Sequence, residues 1–91
     1  MRDTSYATEI ATAELKSCRI ERLHVKDPGR IEIRFSWWPD GQMANRPLDL
    51  PEDELLALFE LAIANRVFSG EFLHGLLGLL ASRAEFTADG G

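Results

Sequence analysis

The sequence predicts an α+β fold in which a short helix precedes a three-stranded antiparallel meander and two apolar helices follow it. Three observations support this order. Apolar and polar residues alternate over 30–38, two turns that contain Pro and Gly divide the middle of the chain into strand-length segments, and two Leu-rich runs follow Pro51. We expect one domain over 5–83, a frayed N-terminus over 1–4 and a flexible tail over 84–91.

The first predicted element is a short helix over 5–17. Ser5 is a suitable N-cap, and Tyr6, Ile10 and Ala13 fall on one stripe of such a helix. Threonines at positions 4, 8 and 12 weaken this prediction, because β-branched side chains lose rotamer freedom in helices.

The central segments predict the meander. Strands over 18–26 and 30–38 form a hairpin around the turn at 27–29, where Pro sets the second turn position and Gly supplies positive φ. Side chains of the second strand alternate between an apolar set (Ile31, Ile33, Phe35, Trp37) and a polar set (Glu32, Arg34, Ser36, Trp38). A second turn at 39–41 leads to a third strand over 42–50, which Pro47 places at a sheet edge. We expect the helices to cover the apolar face.

Two helices are predicted after the meander. Pro51 suits the first helical position, and Glu52, Asp53 and Glu54 lie at the positive end of the helix dipole. We expect this helix to end near 66–68 and a second helix to run from residue 71 to residue 82 or 83.

Both helices carry more apolar residues than one packed surface requires. A helix on a sheet needs a single apolar stripe, whereas these two runs are apolar on nearly every side. The surplus predicts a protein–protein interface, most simply a two-fold homodimer. The expected interface residues are Leu58, Phe59, Phe72, Leu76, Leu77 and Leu80. The alternative is that the predicted helices bury one another.

Composition and charge limit the classes of function. Acidic residues outnumber basic ones by 15 to 10, which gives a formal net charge of −5, so a nucleic-acid partner is left open but disfavoured. The net charge is +2 over 19–46 and −4 over 47–66, and a nucleic-acid contact would therefore lie on the sheet. The single cysteine, Cys18, cannot form an internal disulfide, which indicates a reducing cytoplasm. We expect no signal peptide and no membrane-spanning segment.

The residue pattern predicts a non-enzymatic protein without a metal or cofactor. Cys18 and His24 lie too far apart along one predicted strand to act as nucleophile and base, and His74 lies on an apolar helix. Asp49, Glu52, Asp53 and Glu54 could bind a cation, but the electrostatics of a helix start explain these carboxylates more simply.

The polar side of the strand over 30–38 carries the strongest binding candidates. Arg30, Arg34 and Trp38 share this side, and Arg and aromatic residues are frequent both at binding hot spots and in base stacking. The alternative is structural, with the N-terminal helix covering Trp38 while Arg34 pairs with Glu21 or Glu32.

Two runs carry a resemblance to a known family. They are Arg-Ile-Glu-Ile-Arg-Phe-Ser-Trp-Trp-Pro-Asp-Gly-Gln-Met from residue 30 and Arg-Pro-Leu-Asp-Leu-Pro-Glu-Asp-Glu-Leu from residue 46. Over residues 30–67 the chain resembles the strand–turn–strand–helix unit of the positive-coactivator family, small homodimers that bind single-stranded DNA on a curved sheet. The resemblance implies that Arg30, Arg34 and Trp38 contact DNA and that the helix from Pro51 forms the dimer.

Two functional hypotheses follow from these patterns. The first is a small acidic protein-binding regulator or inhibitor that occupies a larger partner protein, with phage-type anti-defence or host-takeover inhibitors as one example. In it, Glu52, Asp53 and Glu54 meet a basic surface. The second is a homodimeric, single-stranded nucleic-acid-binding protein of the coactivator type.

Overall fold

The computed structural model describes residues 2–83 and has an α+β architecture, as the sequence predicts. Four strands form one antiparallel sheet in the order β1-β2-β3-β4, and two helices follow them along the chain. The elements are β1 (Ala7–Leu15), β2 (Cys18–Val25), β3 (Arg30–Trp37), a 3-10 turn (Pro39–Gly41), β4 (Leu48–Leu50), α1 (Glu52–Ala64) and α2 (Gly70–Ala81). The tail predicted over 84–91 lies outside the described residues.

The chain divides into two compact units. The sheet unit covers residues 1–58 and contains all four strands and the first half of α1. The helical unit begins at residue 59 and contains the second half of α1 and all of α2.

The predicted N-terminal helix over 5–17 is wrong, because this segment forms strand β1. It pairs along its length with β2, from Ala7 opposite Val25 to Leu15 opposite Cys18. A bulge between Glu9 and Ala11 shifts the register, so the alternation of side chains breaks in the middle of the strand. This break placed apolar residues at spacings that resemble a helical stripe. The threonines, which disfavour a helix, suit a strand.

The central hairpin matches the prediction. Cys18 of β2 lies opposite Trp37 of β3, and Val25 lies opposite Arg30 at the other end of the ladder. Gly29, in the connecting turn, has φ of 89°, a conformation that glycine adopts without steric cost.

The predicted third strand over 42–50 is wrong for most of its length. Only Leu48–Leu50 pair with β3. Arg46 has φ of 61°, outside the β region, and Pro47 has no N–H to donate to a ladder. The sheet thus has a short fourth strand at one edge and the unpredicted β1 at the other.

Backbone caps define the ends of the helices. α1 starts after Pro51, as predicted, and ends at Ala64, earlier than expected. Arg66 has φ of 58°; its N–H donates to the Ile63 carbonyl at 3.1 Å, and the next N–H donates to the Ala62 carbonyl at 2.9 Å. This is a Schellman motif with arginine at the position that usually holds glycine. α2 starts where the Ser69 hydroxyl accepts the N–H of Phe72 at 3.0 Å.

We expect Arg66→Gly to raise the free energy of unfolding by about 0.5–1 kcal/mol, because glycine adopts positive φ without the steric cost of a Cβ. Urea unfolding followed by circular dichroism measures the change. Arg83→Gly is the matched control, since Arg83 is not among the residues with positive φ, and it should bring no gain. A less stable Arg66→Gly protein would contradict the assignment of this cap.

Candidate functional site

The two faces of the sheet differ in chemistry, and directly opposed residues of neighbouring strands share a face. The apolar face, as we call it, carries Ala13, Leu15, Cys18, Ile20, Arg22, His24, Ile31, Ile33, Phe35, Trp37, Leu48 and Leu50. The polar face carries Ala7, Glu9, Arg19, Glu21, Leu23, Val25, Arg30, Glu32, Arg34, Ser36 and Asp49. The predicted sidedness of β3 is therefore correct within the strand.

Burial is the reverse of what this sidedness suggested. On β3 the buried residues are Glu32 and Ser36, both on the polar face, while Trp37 on the apolar face is 58% exposed. The small buried apolar core of the described chain, formed by Ala7, Leu23 and Val25, also lies on the polar face.

Glu21 is the centre of the polar face. Its relative exposure is 0%, and an ionised carboxylate so far from water needs a cation and further donors. The guanidinium of Arg2 forms an ion pair with Glu21, and the Ser36 hydroxyl donates to it at 3.4 Å. The Nε of Arg2 also lies 3.5 Å from a carboxylate oxygen of Glu9. Arg2 thus bridges two buried carboxylates.

The N-terminal segment is held in place by several further bonds. The N–H of Glu9 donates to the Arg2 carbonyl at 2.8 Å, and the N–H of Thr4 donates to the Ala7 carbonyl at 2.9 Å. Asp3 lies 2.7 Å from the Nζ of Lys26. These bonds turn residues 2–4 back along β1 and bring Arg2 over the polar face.

Trp38 packs beside this ion pair and not in open solvent. Its indole N–H donates to the Ser36 hydroxyl at 2.8 Å, and the guanidinium of Arg19 lies 3.8 Å from its ring centroid. Arg2 lies 5.2 Å from the same ring. These are cation–π contacts, so Trp38 is already used to order two arginines.

The two arginines predicted to share this side are each paired with a carboxylate. Arg34 makes two hydrogen bonds of 2.8 Å to Asp49, the forked geometry that is strong and directional. Arg30 donates to Glu32 at 2.6 Å. The alternative in the sequence analysis paired Arg34 with Glu21 or Glu32, whereas in the structure Arg34 pairs with Asp49 of β4.

Several pKa values on this face reflect these contacts. The hydrogen bonds that the Arg34 guanidinium donates to the Asp49 carboxylate raise the pKa of Arg34. Burial raises the pKa of Tyr6, and the charge of Asp49 raises it further. A hydrogen bond with Glu21 lowers the pKa of Glu9, and Arg2 lowers it further.

The apolar face is the contrasting surface of the sheet unit. Leu15, Ile20, Trp37 and Leu48 are all about half exposed or more, with Leu15 at 74% and Ile20 at 49%. Arg22 on this face lies 3.2 Å from Glu52 at the start of α1. The face is therefore largely apolar, and Glu52 neutralises the arginine that lies on its inner strand β2.

The predicted interface residues on the helices are also exposed for the most part. No residue of α1 or α2 is buried. Leu77 is 63% exposed, and Leu58, Phe72 and Leu80 are about half exposed, while Phe59 and Leu76 are half-buried. An aromatic row, with ring centroids 5.5 Å apart from Phe59 to Phe68 and 4.9 Å from Phe68 to Phe72, orders the helical unit.

The acidic start of α1 is accessible. Glu52, Asp53 and Glu54 are exposed; Asp53 accepts the N–H of Glu54 at 2.9 Å. Only Glu52 of the three has an ion-pair partner among the described residues, Arg22. The cluster can therefore meet a cationic surface.

Sequence reasoning missed the role of Arg2, Arg19 and Glu21. Glu21 and Arg2 are 19 residues apart, and no local spacing links them. The one available signal was the position of Glu21 on the polar side of the strand over 18–26, which does not indicate that the side chain is buried.

The described residues give no support for a metal site or a membrane-spanning helix. Residues 2–83 contain no group of three or more His, Cys, Asp or Glu side chains that could hold a metal ion. None of the helices described is both long and apolar enough to cross a membrane. No known protein family, curated protein or solved structure matches the chain.

We expect Arg2→Ala to lower the free energy of unfolding by about 2 kcal/mol, because it leaves the Glu21 carboxylate buried without its cation. Arg22→Ala is the matched control, since its pair with Glu52 is exposed and contributes under about 1 kcal/mol. Urea unfolding of both variants measures the difference. Equal losses would show that the Arg2 pair does not stabilise the fold.

Acid should destabilise the protein through Glu9. Its pKa in the folded chain is lowered from the ordinary value of 4.5, so its contribution to stability is present above pH 4.5 and is lost as the pH falls through the folded pKa. Glu9→Gln should therefore lower stability at pH 7 and flatten the dependence below pH 4.5. Urea unfolding between pH 7 and pH 3 checks this, and an unchanged slope in the variant would contradict it.

Proposed function

We propose that this chain is a small, acidic, non-enzymatic regulator or inhibitor that acts by occupying a partner protein, and that its working form is a homodimer. The observation that carries the proposal is the exposed apolar surface of the helices. Every residue of α1 and α2 is half-buried or exposed, although both helices are rich in leucine. Monomeric soluble proteins rarely expose contiguous apolar surface of this extent.

The distribution of the apolar residues supports more than one packed contact. Leu56, Leu58, Leu61 and Ile63 of α1 are all exposed, and they fall on two opposite sides of the helix, Leu56 with Ile63 and Leu58 with Leu61. A single contact along one stripe would cover only part of them. A homodimer interface together with a contact to another protein would bury more of these apolar side chains.

Charge favours a basic surface on the partner protein. The accessible carboxylates at the start of α1 lie beside the exposed leucines of the same helix. Complementary charge speeds encounter and selects a partner, and buried apolar area provides affinity. A phage-type inhibitor that occupies the basic surface of a host protein is one form of this function, and the cytoplasm is its proposed location.

The nucleic-acid alternative receives less support from the site. Arg34 would have to leave its two bonds to Asp49, and Arg30 its bond to Glu32, before either reached a phosphate. Trp38 would have to give up its contact with Arg19 before a base stacked on that side.

Charge reversal at the start of α1 tests the proposal. We expect the triple variant Glu52→Lys, Asp53→Lys and Glu54→Lys to lose capture of the partner from a lysate of the source cells, since it presents like charge to a basic surface. The matched control reverses the exposed carboxylates Asp27, Asp40 and Glu71, which gives the same net charge, and it should capture the partner like the original chain.

Circular dichroism shows that each variant is folded, and nuclease treatment shows whether captured material depends on nucleic acid. Capture that survives the triple reversal, or that disappears with nuclease, would overturn the proposal. The second result would support the nucleic-acid alternative.

A further inference from the structure

We propose that the polar face of the sheet carries a binding site for the guanidinium group of an arginine, and that the chain's own Arg2 fills this site until an arginine of the partner protein displaces it. The inference rests on the proposed function and deepens it, since it names the side chain that the basic surface of the partner inserts. The site consists of Glu9, Glu21 and Trp38 around Arg2. Ser36 lies behind them and bonds both Glu21 and Trp38.

The arrangement of the two carboxylates selects a guanidinium over an ammonium ion. The Nη2 of Arg2 pairs with Glu21, whereas its Nε lies 3.5 Å from Glu9, so different nitrogens of one planar group face the two carboxylates. The guanidinium also lies 5.2 Å from the centroid of the Trp38 ring, within the range of a cation–π contact. A lysine ammonium is a compact point charge without this fork of donors.

The site requires a cation, whichever chain supplies it. Glu21 has no exposure to water and the side chain of Glu9 is 10% exposed, and a buried carboxylate without a cation is costly. An arginine of another protein replaces Arg2 with the same chemical group, so Glu21 keeps a cationic partner after the exchange. A phosphate that drew Arg34 away from Asp49 would leave that carboxylate unpaired, which is why the site favours an arginine as its ligand.

Polar contacts hold the strap, as we call residues 2–4, against the sheet. The N–H of Glu9 donates to the Arg2 carbonyl, and Asp3 pairs with Lys26. Every side chain of the strap is half-buried or exposed, and that of Arg2 is 37% exposed. Segments held by exposed hydrogen bonds and ion pairs open at low cost. The strap can therefore leave the sheet while the four strands stay paired.

Arg2 fits the site incompletely. Its Nε is buried and has no hydrogen-bond acceptor in suitable geometry among the described residues. A hollow of about 20 Å³ lies beside it, lined by Ala7, Glu9 and Leu23 among others. The strap bonds restrict the positions that the Arg2 guanidinium can take. An arginine of a partner protein is free of that restriction and can align its Nε with Glu9.

Chemical complementation of the Arg2→Ala variant tests the site. Ethylguanidinium or ethylammonium chloride is added at the same millimolar concentration, and circular dichroism follows thermal unfolding. We expect ethylguanidinium to raise the melting temperature of the variant by about 5 °C. Ethylammonium should have no effect on it, and neither compound should affect the original chain, whose site is filled. Arg22→Ala is the matched control, because it loses an arginine from an exposed ion pair, and it should not respond.

The Arg2→Lys variant keeps the test decisive if Arg2→Ala does not fold. It retains a cation, and we expect it to melt at a lower temperature than the original chain and to be stabilised by ethylguanidinium. A lysine variant as stable as the original chain, or an equal response to ethylammonium, would overturn the selectivity for guanidinium. A failure of ethylguanidinium to stabilise either variant would overturn the site itself.

Displacement of the strap is measured on the original chain through the N–H of Glu9, which donates to the Arg2 carbonyl at 2.8 Å. The probe is a short peptide with two arginines between glycines, and its control has lysines in their place. We expect the arginine peptide to speed hydrogen exchange of this N–H about tenfold, while amides of the central hairpin keep their rates and the lysine peptide has no effect.

A strap that stays closed, in a chain whose Arg2→Ala variant responds to ethylguanidinium, would make Arg2 a permanent part of the fold and overturn displacement by a partner. These outcomes are separable from the proposed function. Loss of the partner contact at the start of α1 would leave the response to ethylguanidinium unchanged, and loss of that response would leave capture through Glu52, Asp53 and Glu54 unchanged.

Discussion

The arrangement of the sheet depends on the buried ion pair between Glu21 and Arg2. A carboxylate with no exposure to water is a large cost unless a cation and further donors satisfy it. Arg2, Ser36 and the neighbouring Trp38 supply this environment. Because these groups lie on one side of the sheet, that side is closed by polar contacts, and the apolar side chains of the other side remain exposed.

The pairing of charges on the polar face explains which charged and apolar side chains remain exposed. The charges of the polar face are consumed internally, as in the forked pair of Arg34 with Asp49. The three carboxylates at the start of α1 remain exposed, and so do many apolar residues of the helices and of the apolar face. In the proposed function, the charge at the start of α1 directs encounter with the partner and the burial of apolar residues retains the complex.

Much of the fold was predictable because its signals are local. The central hairpin was found from the alternation of β3 and from the turn that Gly29 closes, and the helices were found from Pro51 and from the leucine runs. The two wrong predictions, a helix over 5–17 and a third strand over the whole of 42–50, also came from local features. The bulge after Glu9 shifts the alternation of side chains in β1, so the sequence resembled a helix. The positive φ of Arg46 prevents the strand that was predicted over 42–50 from starting before Leu48.

The sequence by itself determined the α+β class, the central hairpin, the two helices and the surplus of apolar residues, because each is written in the spacing of neighbouring residues. Only the tertiary structure decided which face of the sheet is buried, that Glu21 takes its cation from residue 2, and that Arg30, Arg34 and Trp38 are occupied by contacts within the chain. These contacts join residues that are distant in sequence or are selected by strand register. Side-chain alternation shows that a strand has two different faces, but it does not determine which of them is buried in the folded protein.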